Sequence, residues 1–185
     1  MIPEPPVRLT LSSLPSPIGP LALACDEAGV VRGLSFGDGL IGAMRREYPD
    51  AALGEGVTPA KVARDIAAYF DGDREALTRV DWSLDGARSD SGDGFQARVW
   101  RALAGVPAGV TLSYGEMARR AGEPVPGSSP RMTAAQAAGT ALNRNPIPLV
   151  LACHRVVGAD GSLTGFGGGL ERKSWLLRHE GALLI

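Results

Sequence analysis

The spacing of apolar residues in the first half of the chain is typical of short strands alternating with helices. Apolar runs at residues 21–25 and 30–36 flank Asp26-Glu27-Ala28-Gly29, a β-hairpin signal with glycine where positive φ is tolerated. Segments 40–48 and 62–70 repeat apolar residues at helical spacing. The positions on these two stripes are Leu40, Ile41, Met44, Tyr48, Val62, Ile66, Tyr69 and Phe70. A small α/β unit is therefore expected.

The second half has helical patterns instead. Residues 95–103 place four apolar side chains, Trp100 among them, on one stripe that is typical of a core-facing helix. Segments 113–121 and 133–142 each open with Ser or Thr followed three residues later by Glu or Gln, which is capping-box spacing. Two short helices joined by a turn region favour a helix-turn-helix.

The segment 133–142 contains almost no side-chain bulk. Its small residues are Ala134, Ala135, Ala137, Ala138, Gly139 and Ala141. Such a helix can approach another surface very closely, and from composition alone tight packing against the protein itself is the favoured explanation.

A polar, glycine-rich stretch at residues 85–94 predicts a boundary between a domain at 1–88 and one at 95–185. Charge changes sign at the same place. Residues 1–94 contain 9 basic and 15 acidic side chains, whereas residues 95–185 contain 10 basic and 5 acidic ones. This asymmetry favours a polyanion partner for the second half, with an ordinary solvated surface as the alternative.

Several protein classes are excluded by composition. No apolar run reaches the roughly 18 residues of a membrane span, and the proline-rich N-terminus does not resemble a secretory signal, so we expect a soluble cytoplasmic protein. Cys25 and Cys153 form no disulfide framework. The only histidines, His154 and His179, do not stand at zinc-site spacing from the cysteines, so no metal is expected.

The chemistry of the chain centres on Cys153, which follows an extended run at residues 147–152. A free cysteine titrates near pH 8.5 (roughly), so a nucleophilic thiol requires a neighbouring base or cation. His154 and Arg155 are both candidates. Adjacent residues of an extended segment point to opposite faces, so His154 requires a backbone turn or a bridging water to reach the thiol. Glu180 is the candidate carboxylate for fixing the histidine tautomer, although buried cysteines are also commonly inert.

Residues 145–158, NPIPLVLACHRVVG, resemble the active-site motif of the O6-alkylguanine-DNA alkyltransferases. Residues 165–181, GFGGGLERKSWLLRHEG, resemble the glycine-rich loop and final helix of that family, and the likeness extends over 95–103 and 113–116. The resemblance implies a small RNase H-like α/β domain followed by a mostly helical winged-helix or helix-turn-helix domain. It also implies a monomer without metal or cofactor.

The resemblance further implies a role for each motif residue. Cys153 would accept the alkyl group, His154 would deprotonate it through a water, and Glu180 would hold the imidazole. Asn145 would brace the turn, and Tyr114 would hydrogen-bond the flipped base. The pocket residues would be Val156, through its carbonyl, and Phe166, Gly167, Gly168 and Trp100.

The implied partner is double-stranded DNA with an alkylated guanine, approached through the minor groove by the second helix of the helix-turn-helix. The target atom lies inside the duplex, so the nucleotide must be flipped out. On this reading the small residues of the second helix serve its approach to DNA. The expected DNA contacts are Ala135, Gln136, Ala137, Gly139, Arg131, Arg144 and Arg155.

Three features depart from the family pattern. Ala152 replaces the usual proline before the nucleophile, and Gln136 replaces an arginine that fills the space of the flipped nucleotide. Glutamine is shorter and uncharged, so weaker flipping is expected unless Gln136 serves chiefly in the capping box. An insertion at residues 125–132 separates the two helices, and its Arg131 or Met132 is a candidate substitute for the arginine.

Three functions follow from these observations. An active, single-turnover alkyltransferase is favoured because Cys153, His154, Asn145 and Glu180 are all present. The alternative is a damage sensor that binds alkylated guanine with weak or no transfer. A cysteine hydrolase is disfavoured, because no oxyanion hole is evident in the motif.

Overall fold

The computed structural model describes residues 7–88, 94–122 and 132–183, and it shows a mixed α/β protein. The chain divides into two compact units, Met1–Ser91 and Gly92–Ile185. The division falls inside the polar, glycine-rich stretch at residues 85–94.

The first unit contains a four-stranded sheet in the order β3-β2-β1-β4. Its strands are β1 (Arg8–Leu14), β2 (Leu21–Cys25), β3 (Val31–Ser35) and β4 (Ala52–Glu55). The predicted hairpin is confirmed: β2 and β3 pair antiparallel, Gly29 has φ +81°, and the Asp26 carboxylate accepts the N–H groups of Ala28 and Val30. The hydrophobic pattern of the sequence did not predict β1 or β4, which pair with each other in parallel.

Both predicted helices of the first unit are present, as α1 (Leu40–Glu47) and α2 (Ala60–Phe70). Leu40, Met44 and Tyr48 pack in the core as predicted. The placement of Ile41 on the buried stripe was wrong, since its side chain is 52% exposed.

In the described residues of the second unit there are four α-helices and one short parallel strand pair, β5 with β6. Its elements are α3 (Phe95–Leu103), β5 (Leu112–Ser113), α4 (Tyr114–Arg120), α5 (Ala134–Asn143), β6 (Val156–Val157) and α6 (Leu170–His179). Both predicted capping boxes are confirmed, Ser113 with Glu116 at the start of α4 and Thr133 with Gln136 at the start of α5. These reciprocal bonds satisfy N–H groups that a helix start otherwise leaves unpaired.

Helix α5 packs through its small residues against the rest of the second unit. Ala138 and Ala141 are almost fully buried, and the indole N–H of Trp100 on α3 donates to the Ala141 carbonyl at 2.8 Å. The close-packing explanation is therefore confirmed for these alanines. Trp100 is fully buried, so its assignment to the substrate pocket is corrected to a core position joining α3 and α5.

Candidate active site

A hydrogen-bonded turn presents Cys153. The Asn145 amide donates to the Leu151 carbonyl at 2.7 Å and accepts the N–H of Ile147 at 3.0 Å, so its side chain spans the turn. Within the turn Leu149 has φ 76°, the only non-glycine residue of the described chain with positive φ. A leucine in this region costs about 1–3 kcal/mol and persists only where surrounding bonds impose it. Asn145 provides those bonds.

The backbone continues from this turn into a 3₁₀ turn at Cys153–Arg155. Cys153 and His154 therefore do not alternate across an extended strand, and the backbone turn that the sequence required is present. Ala152, which stands where the family has proline, has φ −71°. Proline is confined to about −65°, so the alanine keeps the conformation that proline would impose.

His154 and Glu180 form a fully buried pair, with Nε2 of the imidazole 2.9 Å from Oε1 of the carboxylate. Burial by itself raises the pKa of Glu180, but hydrogen bonds from His154 and Arg155 outweigh it and hold that pKa well below its usual range. An ionised carboxylate only accepts, so Nε2 is the donor. Burial also lowers the pKa of His154, so the ring is neutral and its Nδ1 retains the lone pair.

Nδ1 of His154 is buried and finds no hydrogen-bond partner within residues 7–88, 94–122 and 132–183. A buried nitrogen without a partner costs about 1–3 kcal/mol. The nitrogen that could accept a proton is thus the one that the described protein leaves open.

Arg155 lies inside the protein, 6% exposed. Its guanidinium donates twice to Glu180, from Nε at 2.9 Å and Nη2 at 2.8 Å, and a third time to the Val106 carbonyl. With these donors engaged and buried, it does not present its charge to a phosphate. The prediction of a DNA contact was wrong for this residue, whose partners lie within the second unit.

The thiol of Cys153 is buried, and this burial raises its pKa to about 11. A hydrogen bond from Asn145 and the ammonium of Lys173 oppose that shift without cancelling it. At pH 7 the thiolate fraction is on the order of one in ten thousand. Cys153 is therefore a thiol at rest, and a nucleophilic role would require a base.

Lys173 is a site residue that the pattern analysis missed. Its side chain is fully buried, and Nζ donates to the carbonyls of Val156 at 2.6 Å and Thr164 at 2.8 Å. It also lies 5.9 Å from the centre of the Tyr114 ring. Helical spacing could have indicated its burial. The buried positions at this end of the chain are 173, 176, 177 and 180, which share one face of α6 and its C-cap, and two of these four residues are charged.

The Tyr114 hydroxyl, on the first residue of α4, donates to the Thr164 carbonyl at 2.8 Å. Thr164 begins the glycine-rich loop that leads to α6. Phe166 on this loop is half-buried, Gly167 is exposed and Gly168 is buried. Tyr114, Lys173, Val156 and this loop are thus brought together, whereas Trp100 is not part of the group.

The residues predicted to touch DNA lie mainly on α5. Ala135 and Ala137 are half-buried, Arg144 is exposed at the end of the helix, and a Cβ added to Gly139 would lie 3.6 Å from the Tyr114 ring. Gln136 is exposed, but its side-chain oxygen accepts the Thr133 N–H at 2.9 Å. Arg131 and most of the insertion lie outside the described residues. Met132, which is described, is 40% exposed.

Both cysteines are free thiols. Across the described ranges, no cluster of three or more His, Cys, Asp or Glu side chains could hold a metal ion. None of the helices in those ranges is long and apolar enough to cross a membrane.

Comparisons with known proteins agree with this geometry. A family profile described as the DNA-binding domain of 6-O-methylguanine DNA methyltransferase matches residues 94–182. A methylated-DNA–protein-cysteine methyltransferase of Salmonella typhimurium is 34% identical over 97% of this chain and 99% of its own length. One from Methanosarcina acetivorans is 38% identical over 90% and 95%, respectively.

A solved structure, described as Mycobacterium tuberculosis OGT in complex with DNA, superposes with a TM-score of 0.66 at 34% identity. The match covers 94% of this chain and 92% of that one. Identity above 30% over nearly the whole length, together with the arrangement of Cys153, His154 and Glu180, establishes the relationship. The chain belongs to the methylated-DNA–protein-cysteine methyltransferase family.

Proposed function

We propose that this protein repairs DNA by transferring an alkyl group, methyl in the simplest case, from O6-alkylguanine irreversibly to Cys153. O4-alkylthymine is a second candidate substrate. The observation that supports this most directly is the buried pair of His154 and Glu180, of which His154 directly follows Cys153 in the chain. Glu180 holds His154 as a neutral ring with a free Nδ1 lone pair, the form a general base requires.

In the proposed reaction a water relays the Cys153 proton to Nδ1 of His154. The sulfur lone pair forms a C–S bond while the bond between the alkyl carbon and O6 breaks. The electron pair of that C–O bond passes to the guanine. A proton from the Tyr114 hydroxyl neutralises the departing base, and the hydroxyl is reprotonated by way of solvent. The net result is S-alkylcysteine and guanine, with the thiol proton transferred to guanine. S-alkylcysteine is a stable thioether that water does not cleave, so each molecule would react once.

The flipped base would meet Tyr114, the Val156 carbonyl and the Phe166–Gly168 loop. In the structure the Tyr114 hydroxyl donates to Thr164, so the guanine would replace that carbonyl as its acceptor. Val156 already accepts a hydrogen bond from Lys173, and a carbonyl has two lone pairs, so one remains for the guanine amino group.

DNA binding is proposed to follow the helix-turn-helix arrangement, with α5 in the minor groove and α4 before it. The finer description, an RNase H-like first domain and a winged-helix-like second domain acting as a monomer, belongs to the same proposal. A free thiol at the site suits the reducing cytoplasm.

One observation favours a second function, a damage sensor with weak or no transfer. The side chain of Gln136 is tied to Thr133 in the capping box and is not extended from the helix. Nucleotide flipping would then be less well supported. The protein would bind alkylated guanine in DNA with weak or no transfer of the alkyl group.

Mass spectrometry after incubation with duplex DNA containing O6-methylguanine distinguishes these functions. The alkyltransferase gives one methyl group per molecule, located on Cys153, and the sensor gives none. We expect Cys153→Ala to lose the adduct while DNA affinity stays within about twofold, because phosphate contacts supply most of the affinity. Cys25→Ala is the matched control and should methylate normally. Methylation of Cys25 in the Cys153→Ala variant would refute the assignment.

A further inference from the structure

Arg155 stands at the centre of the buried charges, although the proposed reaction gives it no role. Arg155 donates two hydrogen bonds to Glu180 and one to the Val106 carbonyl. Glu180 in turn accepts a hydrogen bond from His154. Buried cations of this kind require full pairing, because an unpaired charge inside a protein is strongly destabilising. Here the pairing is bidentate, the geometry in which arginine also fixes the orientation of a carboxylate.

The loop between α3 and β5 also contacts Arg155 and Glu180. Val106 offers its carbonyl to Arg155, and the Gly109 N–H lies 3.4 Å from Oε2 of Glu180. Gly109 has φ +79°, and a Cβ at this position would lie 3.1 Å from the Glu180 carbonyl oxygen. The loop therefore approaches Glu180 as closely as a glycine allows, and the carboxylate is held from both sides.

We infer that Arg155 is a positioning residue that aims Glu180 at His154 and cancels the carboxylate charge, so that His154 remains a neutral base. This inference rests on the proposed alkyl transfer. Three charged groups act on His154: Glu180, which favours the imidazolium, and Arg155 and Lys173, which oppose it. The Cys153 thiol beside them is neutral at rest.

Removing Arg155 would leave the Glu180 charge facing His154 with only Lys173 in opposition. An unshielded carboxylate at 2.9 Å favours a protonated ring. An imidazolium has no lone pair at Nδ1 and cannot take the thiol proton. The loss should therefore depend on pH, whereas a purely structural loss would be equal at every pH.

The test compares two variants. Arg155→Gln removes the charge, and Arg155→Lys keeps the charge but loses the bidentate contact with Glu180. Arg178→Gln is the matched control, since Arg178 is exposed on the same helix that leads to Glu180. Single-turnover rates are measured between pH 5.5 and 8.5, roughly the range in which histidine titrates. The substrate is free O6-benzylguanine, which removes DNA binding from the comparison. The chain has 2 histidines, so ¹⁵N NMR follows His154 directly, with His179→Gln to assign the signals.

In the wild type and Arg178→Gln we expect a neutral His154 with its proton on Nε2 at pH 7. In Arg155→Gln the titration midpoint of His154 should rise by about 1 pH unit or more, the usual effect of an uncompensated opposite charge. Transfer at pH 6 should then fall about tenfold relative to pH 8.5. Arg155→Lys should be slower at all pH values but keep the wild-type pH profile.

Several outcomes would overturn the inference. These are a wild-type His154 that is protonated at pH 7, an Arg155→Gln loss that is the same at every pH, or an Arg155→Lys variant with a shifted profile. If Arg155→Gln does not fold, the wild-type spectrum and Arg155→Lys still decide. The NMR titration needs no alkyl transfer, so a wild type that never methylates Cys153 would refute the proposed function separately.

Discussion

The Cys153 thiol combines two properties that oppose each other. Its burial shields the sulfur from bulk solvent, yet the same burial raises its pKa to about 11 and keeps it protonated. In the proposed reaction a neutral His154 with an open Nδ1 would resolve this conflict by taking the thiol proton as the C–S bond forms. The site would thus avoid holding a buried thiolate before the reaction.

Removing the base should make the reaction depend on hydroxide. In His154→Gln, the logarithm of the single-turnover rate on a free O6-alkylguanine base should rise by about 1 for each pH unit from 7 to 10, below the thiol pKa of about 11. The wild type should be nearly flat over this range. At pH 7 the variant should be slower by about 10² to 10⁴, the usual contribution of a general base. A flat profile in the variant would mean that the thiol ionises without His154.

Glu180 should make the protein sensitive to acid. Its folded pKa is depressed below the usual value of about 4.3, so its bonds stabilise the folded state above that pH and are lost as pH falls through the folded pKa. Glu180→Gln leaves Arg155 without a counter-ion and should lower the free energy of unfolding at pH 7 by about 3–5 kcal/mol.

The difference in unfolding free energy between Glu180→Gln and the wild type should narrow below about pH 4. There the carboxyl of the unfolded wild type takes up a proton, whereas the folded carboxylate stays ionised. Urea midpoints at pH 7 and pH 3.5 measure this difference. An equal gap at both values would show that Glu180 is not ionised in the folded protein.

At this scale the motifs of the sequence singled out Cys153, His154 and Glu180, and the predicted pairing of His154 with Glu180 is present in the structure. It did not identify the burial of Arg155 or Lys173. Charged residues are ordinarily exposed, and their burial here depends on partners distant in sequence, Glu180 and Val106 for Arg155 and Thr164 for Lys173. Local pattern does not contain those contacts.

At the scale of elements, helix α5 has one side chain with two candidate tasks. Gln136 caps the helix through Thr133, whereas the family position calls for a cation that supports the flipped nucleotide. Arginine cannot accept the Thr133 N–H, so it cannot perform the capping task. The two roles are therefore exclusive at this position.

Gln136→Arg should raise the transfer rate on duplex DNA and leave the rate on a free O6-alkylguanine base unchanged, since only the duplex requires flipping. It should also cost about 0.5–1 kcal/mol of stability through the lost cap. Gln136→Ala is the control, because it loses the cap without adding a cation. Equal changes on both substrates would exclude a flipping role. A second outcome would assign the flipping role to the insertion. In it, Gln136→Arg brings no gain in the transfer rate on duplex DNA, whereas trimming residues 125–132 lowers the rate on the duplex but not on the free base.

The elements that the sequence predicted are those specified by neighbouring residues. The hairpin at residues 26–29 and the caps of α4 and α5 need only bonds between residues two to four apart. Strands β1 and β4 were missed because their pairing joins residues more than 40 positions apart and β4 is mostly exposed. Ile41 was misplaced because helical spacing indicates which side of a helix is apolar but not how much of that side is buried.

At the scale of the whole molecule, charge is divided between the two units. The acidic excess belongs to residues 1–94 and the basic excess to residues 95–185, the part that matches the DNA-binding family profile. A polyanion such as DNA binds by exchanging its counterions for basic side chains. The second unit should therefore supply the salt-dependent affinity.

Paired variants test this division. Arg144→Gln, at the exposed end of α5, should weaken binding to duplex DNA and lower the slope of log affinity against log salt by about 0.9, the effect of one lost phosphate contact. Arg45→Gln, at an exposed position on helix α1 of the first unit, makes the same change in net charge and should alter neither quantity. Titrations at several salt concentrations measure both. Equal losses in the two variants would mean that overall charge, and not the second unit, determines DNA affinity.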